Sequence, residues 1–153
     1  MRARDLAVDY ETVGVDDDAL HAARLMAEQR LPALLVVDDR GVPRAILPAS
    51  QMVKVLVPDY VLQDPTLAAV IDERHADRLC QALEGRTVHE CLTETMPAPP
   101  VADPDDTAVE VAALMAQVRS PLVAVVQPDA AGGRLLGVIT ASHLLERLLA
   151  AGG

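Results

Sequence analysis

"DDDALHAARLMAEQRLPALLVV", residues 16–37, returns without a gap as "DDTAVEVAALMAQVRSPLVAVV", residues 105–126, each position 89 residues later. Asp16 repeats as Asp105, Ala19 as Ala108, Met26 as Met115, Arg30 as Arg119 and Pro32 as Pro121. Agreement in one register over this length makes the chain a tandem repeat. Function is therefore to be sought where the two units meet.

Past the matched stretch, "DDRGVPR" joins the first copy to "AILPASQMV", whereas the longer "QPDAAGGRLL" joins the second to "GVITASHLL", and the offset becomes 92. Three extra residues cost little in a surface turn and much more in a core strand, so the change falls where a repeat tolerates it.

Each copy predicts the same order of elements. Ala19, Ala22, Ala23 and Met26 recur at helical spacing, as do Ala108, Val111, Ala112 and Met115. Asp17 or Asp18 is suited to cap the first of these helices, and Asp106 or Thr107 the second. The prolines lead into "ALLVV" and "LVAVV" as buried strands, and a turn leads on to "AIL" or "GVI". Ser50 and Ser142 open terminal helices carrying Met52, Val53 and Leu56, or Leu144, Leu145 and Leu148. A short leading strand is expected over residues 11–15 and around Val101.

The fold class that follows is α/β, of the α+β kind. Two small sheets, each with helices on one side, bury their remaining apolar surfaces against each other as a pseudo-twofold pair and leave paired clefts at the junction. The chain divides into a first repeat (1–57), a helical connector (58–86), a second repeat (87–150) and a short tail (151–153). Within the connector, Asp64 and Pro65 suggest a turn. Ala76, Leu79, Cys80 and Leu83 form a helical stripe that Gly85 is placed to end. Thr87 and Glu90 have capping-box spacing.

Composition removes several functions. With 153 residues, 51% of them hydrophobic, the chain can bury a sizeable core, yet it has no Phe or Trp and only Tyr10 and Tyr60 as aromatic rings. Leu, Val, Ile, Ala and Met must fill that core, and the aromatic platforms of single-strand nucleic-acid binders are hard to build. A net charge of −10 opposes binding to nucleic acid or to an anionic membrane surface. The apolar run at 31–37 falls far short of the roughly 20 residues a membrane span needs, so no direct membrane insertion is expected. Cys80 and Cys91 form no CxxC pair and no secretory leader is evident, which points to reduced thiols and a cytoplasmic protein.

Catalytic and metal-binding constellations are not expected. The acidic residues 16–18, 103, 105 and 106 sit at helix starts, where capping accounts for them. His75 and Asp77 in "ERHADR", residues 73–78, lack a further ligand pattern and suit a solvated helix face. Cys80 fits the apolar stripe as a small buried thiol. No Gly-rich phosphate loop accompanies these residues.

In the second copy "VADPDDTAVEVAALMAQVRSPLVAVV" followed by "LLGVITASHLLERLL", and in the first "VGVDDDALHAARLMAEQRLPALLVV" with "RAILPASQMVKVL", the chain resembles a tandem pair of cystathionine-beta-synthase-type (CBS) domains, or Bateman module. The resemblance covers residues 3–57 and 87–150. It implies a regulatory module rather than an enzyme. Its copies associate through their sheets, often in a flat homodimer, and pass ligand occupancy to an attached or separate effector protein. It requires no cofactor; AMP, ADP, ATP or S-adenosylmethionine are the regulatory small-molecule ligands it suggests.

The family's nucleotide motif runs Gly, two apolar residues, Thr or Ser, two variable residues, Asp. Here Gly137, Val138, Ile139 and Thr140 match and His143 stands in place of Asp, while the first copy reads Ala45, Ile46, Leu47, Pro48, Ala49, Ser50, Gln51. The motif thus implies ligand contact at Thr140 and His143 and, more weakly, at Ser50 and Gln51. Arg119 and Arg30 stand at equivalent positions before the strand entries, where either can approach a phosphate, beside Pro121 and Pro32. Ser120 in place of Leu31 makes the second cleft the more polar and the expected site. Each has a plainer role beside it. Thr140 serves equally as a helix cap, His143 as a surface or helix-packing residue, and Arg30 and Arg119 as solvated cations. The loss of both Asp positions also leaves open a structural or protein-interaction module with degraded ligand sites.

Overall fold

The computed structural model describes residues 1–70 and 78–152. In the first repeat β1 (Thr12–Gly14), α2 (Ala19–Glu28), β2 (Ala33–Val37), β3 (Pro43–Pro48) and α3 (Ala49–Leu56) follow a short leading helix α1 (Ala3–Leu6). The connector holds α4 (Asp59–Gln63) and 3₁₀ segments at Pro65–Val70 and Leu79–Leu83. Helix α5 (Val88–Cys91) leads into the second repeat, with β4 (Val101–Ala102), α6 (Ala108–Val118), β5 (Leu122–Gln127), β6 (Arg134–Thr140) and α7 (Ala141–Gly152).

Each repeat forms a three-stranded sheet in which the first strand runs parallel to the second and the third antiparallel, in the orders β1-β2-β3 and β4-β5-β6. The register of the second and third strands slips at Val36/Val37 in one sheet and at Val125/Val126 in the other, the same position of the repeat.

Alternation along the central strands sends successive side chains to two different cores. Leu34, Val36, Ala45 and Leu47 face the helices of the first repeat with Ala22 and Met26, and Val123, Val125 and Ile139 face those of the second with Val111 and Met115. Ala33, Leu35, Leu122, Ala124 and Val138 form a third core, where the two sheets meet. Strands covered on both faces need apolar residues at every position, which is why "ALLVV" and "LVAVV" read as unbroken runs.

The linear division into repeats is not how the cores are filled, because the leading segments are exchanged. Ala3 and Leu6 of α1 are buried in the second repeat's core, and Leu83, Val88 and Cys91 in the first repeat's core. Backbone bonds fix both exchanges. Ala3 N–H donates to the Asp106 carbonyl at 2.8 Å and Arg4 N–H to that of Pro104 at 3.0 Å, while Val88 N–H donates to Asp17 at 2.9 Å and His89 N–H to Val15 at 2.8 Å. Val8 and Val138 exchange a pair of bonds at 3.0 Å. Gly137 makes that approach feasible, since a Cβ there would lie 2.8 Å from the Val8 carbonyl oxygen.

Two local expectations are corrected. Asp17 does not cap α2; its carboxylate accepts the Gly14 N–H at 2.7 Å, whereas Thr107 caps α6 through Glu110 N–H at 3.2 Å. Cys80 is exposed, and Cys91 is the buried thiol. The connector stripe delivers Leu83 to a core and ends at Gly85, whose φ of +74° only glycine adopts easily. Ala76, His75 and Asp77 lie outside the described residues.

Candidate functional site

A cavity of about 170 Å³ lies where the repeats meet, lined by Ile46 and Pro48 from the end of β3, by residues 96–100 ahead of β4, and by residues 118–121 between α6 and β5. Both repeats are needed to make it. The lining is apolar and contains five prolines, Pro48, Pro97, Pro99, Pro100 and Pro121. Proline has no N–H, so the backbone around this space is short of donors, and the Pro100 carbonyl is already engaged by Ala124 N–H at 3.0 Å. Arg119, exposed to solvent, is the one charged lining residue among the described residues.

The turn carrying Arg119 has a specific local cause. Helix α6 ends with Arg119 in the left-handed conformation, φ 53°, and its N–H donates to Met115, as does that of Ser120 at 3.3 Å. Glycine is the usual occupant of such a helix end. Arg30, its repeat equivalent, has φ 55°, and these are the two non-glycine residues of positive φ among the described residues. Pro121 follows, its carbonyl accepting Ala141 N–H at 3.0 Å. Ser120 is tied locally: its hydroxyl donates to the Leu122 carbonyl at 2.7 Å and accepts Leu122 N–H at 3.3 Å.

Of the five residues expected in this cleft, Arg119, Ser120 and Pro121 line the cavity, and Thr140 and His143 do not. The reason is the direction of the strand. Thr140 pairs with Leu122 and follows Val138 by two residues, so its side chain lies on the face turned toward the first repeat. Pro48 occupies the equivalent place in the first sheet, and it is Pro48 that reaches residues 118–121. Thr140 Oγ1 accepts His143 N–H at 3.1 Å, an N-terminal cap on α7. The His143 ring is half-buried, with Nδ1 at 4.0 Å from Glu146.

The weaker set is dispersed. Arg30 and Ser50 are exposed. The Pro32 carbonyl accepts Ala49 N–H at 3.0 Å, which fixes the start of α3. Gln51, at the motif's Asp position, donates its amide to the Cys91 carbonyl at 3.1 Å and thereby ties α3 to the exchanged helix α5. Sequence reasoning missed Ile46, Pro48 and residues 96–100. The density of prolines in "MPAPP" was the available signal, since a chain without donors cannot be part of a sheet interior.

A second groove, of about 260 Å³, is lined by Asp9, Tyr10, Glu11, Gln29 and Leu31. Adding 89 to each number gives Ala98, Pro99, Pro100, Val118 and Ser120, all of which line the first cavity. Tyr10 packs on the sheet-to-sheet core and donates its hydroxyl to the Ala33 carbonyl at 2.7 Å. Burial pushes its phenol above the ordinary value. Burial likewise raises the Cys91 thiol. Asp38, in the turn between β2 and β3, is held low, first by the Val42 N–H it accepts and further by Arg40 N–H and the Arg44 guanidinium. Among the described residues no group of three or more His, Cys, Asp or Glu side chains is arranged to hold a metal ion, and no helix is long and apolar enough to cross a membrane.

Comparison with known proteins bears on this architecture directly. The CBS domain family model matches residues 3–58 and 92–150. A CBS domain-containing protein of unknown function from Kribbella flavida is 47% identical, with a TM-score of 0.86 over 97% of this chain and 99% of that one. CBSX2 from Arabidopsis thaliana, a CBS-pair protein, is 16% identical, with a TM-score of 0.73 over 99% of this chain and 96% of that one. A structure of CBSX2 in complex with AMP is 17% identical, with a TM-score of 0.68 over 99% and 98% of the two chains. Among curated proteins none matches this sequence. With two matched segments, two equivalent sheets and a cleft that both repeats build, the chain belongs to the CBS domain family as a tandem CBS pair.

Proposed function

We propose that the protein is a regulatory module that binds an adenosyl ligand in the proline-lined cavity and signals occupancy to a separate effector, without catalysis of its own. The observation that carries this reading is the cavity itself, about 170 Å³ of apolar space bounded by both repeats with Arg119 among its lining residues. An engineered apolar cavity of about 150 Å³ admits benzene, so the space suits a flat ring and excludes a whole nucleotide. The ribose and phosphate would lie at the mouth, where the Arg119 guanidinium offers a charge-assisted bond to an anion. The prolines leave the lining short of N–H donors, which disfavours a ring that presents a carbonyl and favours one bearing an exocyclic amine. Adenine is such a ring, and hypoxanthine, with a carbonyl at that position, is not.

AMP, ADP, ATP and S-adenosylmethionine all carry this base, and the complex of CBSX2 with AMP, a protein of the same fold, supports the class. Calorimetric titration with AMP and IMP tests the reading: AMP should bind with at least tenfold higher affinity, and equal affinity or no binding at millimolar ligand would count against it.

A protein-interaction module is the second reading, favoured by Gln51, whose commitment to Cys91 removes it from any ribose contact. The same titration separates the two. For assembly, we infer a homodimer through the helical faces, where Leu145 and Leu149 of α7 are 58% and 67% exposed and Val53 of α3 is 57% exposed. Symmetric pairing is the commonest way to cover such surface. Sedimentation should give twice the chain mass at micromolar concentration, and a monomer throughout would remove the assignment.

A further inference from the structure

We propose that Tyr10 is a built-in occupant of the cleft equivalent to the proline-lined cavity, so that the chain takes up one adenosyl ligand rather than two. The inference rests on the adenosyl reading of that cavity. All five residues of the Tyr10 groove are repeat equivalents of cavity residues, yet the groove lacks the counterparts of Ile46 and Pro48, which are Val138 and Thr140. The Tyr10 ring packs instead on the core that contains Val138, Ala33 and Leu122.

The hydrogen bonds show the same substitution of one group for another. Ala33 and Leu122 are equivalent residues, and each carbonyl accepts a side-chain hydroxyl at 2.7 Å, from Tyr10 in one case and Ser120 in the other. Leu31, where the second repeat has Ser120, carries no hydroxyl, so the carbonyl beside it is satisfied by a ring reaching in from residue 10. A serine satisfies that acceptor beside a slot lined by both repeats, whereas a tyrosine satisfies it with a ring of its own, and the groove beside that ring is lined by the first repeat alone, Asp9 and Glu11 included. Charge acts in the same direction. Exposed Asp9 and Glu11 flank Tyr10, where the other cleft has Ala98 and Pro100, and two carboxylates at the rim repel a phosphate.

The test compares three proteins by calorimetric titration with adenosine, a probe without phosphate: the native chain, Tyr10→Ala/Leu31→Ser, which reopens the first cleft with its own serine, and Pro99→Tyr/Ser120→Leu, which closes the second. The account gives one adenosine per native chain, two per reopened chain and none for the closed variant. A fourth protein, Tyr60→Phe, leaves Tyr10 as the sole tyrosine, and its fluorescence should resist acrylamide quenching with and without adenosine. Ready quenching, adenosine binding that survives in the closed variant, or an unchanged stoichiometry in the reopened variant would each overturn the proposal. Failure of the ligand reading looks different: the native chain then binds no adenosine while the reopened variant binds one, which leaves Tyr10 as the occupant of its cleft.

Discussion

Gln51 donates its side-chain amide to the backbone carbonyl of Cys91 at 3.1 Å, joining a helix of the first repeat to the helix that leads into the second. Gln51→Ala should lower stability by about 1 kcal/mol, the usual worth of a neutral hydrogen bond. Gln51→Asp, which would restore the family's carboxylate, sets an acceptor against a carbonyl and should cost about 1–3 kcal/mol instead. Urea denaturation of both variants checks the order, and an aspartate variant as stable as the native chain would contradict it.

Arg30 and Arg119 both hold a left-handed backbone that disfavours side chains by about 1–2 kcal/mol. Replacing either with glycine should therefore leave stability unchanged or raise it by up to about 1 kcal/mol. Binding should separate the two positions. Arg119→Gly is expected to weaken AMP about tenfold while sparing adenosine, and Arg30→Gly to change neither, read by titration with each ligand.

Cys91 is 1% exposed and its thiol is pushed above its ordinary value by burial. The folded state thus favours the protonated thiol. Its contribution to stability is fully present below the thiol's ordinary value and is lost as pH rises through the raised one. In a Cys80→Ser background, iodoacetamide should modify Cys91 only as fast as the protein opens, and alkaline destabilisation should diminish in Cys91→Ala. Rapid alkylation in the folded state would contradict the burial.

Thr140 caps α7 through the His143 N–H, so Thr140→Val should cost about 1 kcal/mol of stability. Because Thr140 lies outside the cavity lining, AMP affinity in this variant should stay within twofold of native. A role of Thr140 in ligand contact would instead weaken AMP along with stability.

Much of the fold was legible because repetition doubles every signal. The matched helices, the proline entries and the unbroken apolar strands each occur twice, and the order of elements follows from either copy. The exchange of leading segments was not legible, since "ARDL" and "VHEC" are single turns whose apolar residues fit either core and whose partners lie far along the chain. The site was half legible. Residues 119–121 could be found from the repeat, but alternation along β6 turns Thr140 toward the other repeat, and which cleft that face serves depends on how two sheets are stacked. Local sequence carries no such information.

On the proposed function an adenosyl ligand enters the cavity bounded by Ile46, Pro48 and residues 96–100 and 118–121. Ala98 is exposed on the loop that lines this space, so Ala98→Phe fills the cavity with little disturbance to either core. Calorimetric titration of AMP into native and Ala98→Phe protein is the most direct measurement. The account predicts saturable binding by the native chain and its loss in Ala98→Phe at unchanged thermal stability; AMP affinity undiminished by the phenylalanine, or absent from the native chain at millimolar concentration, would contradict it.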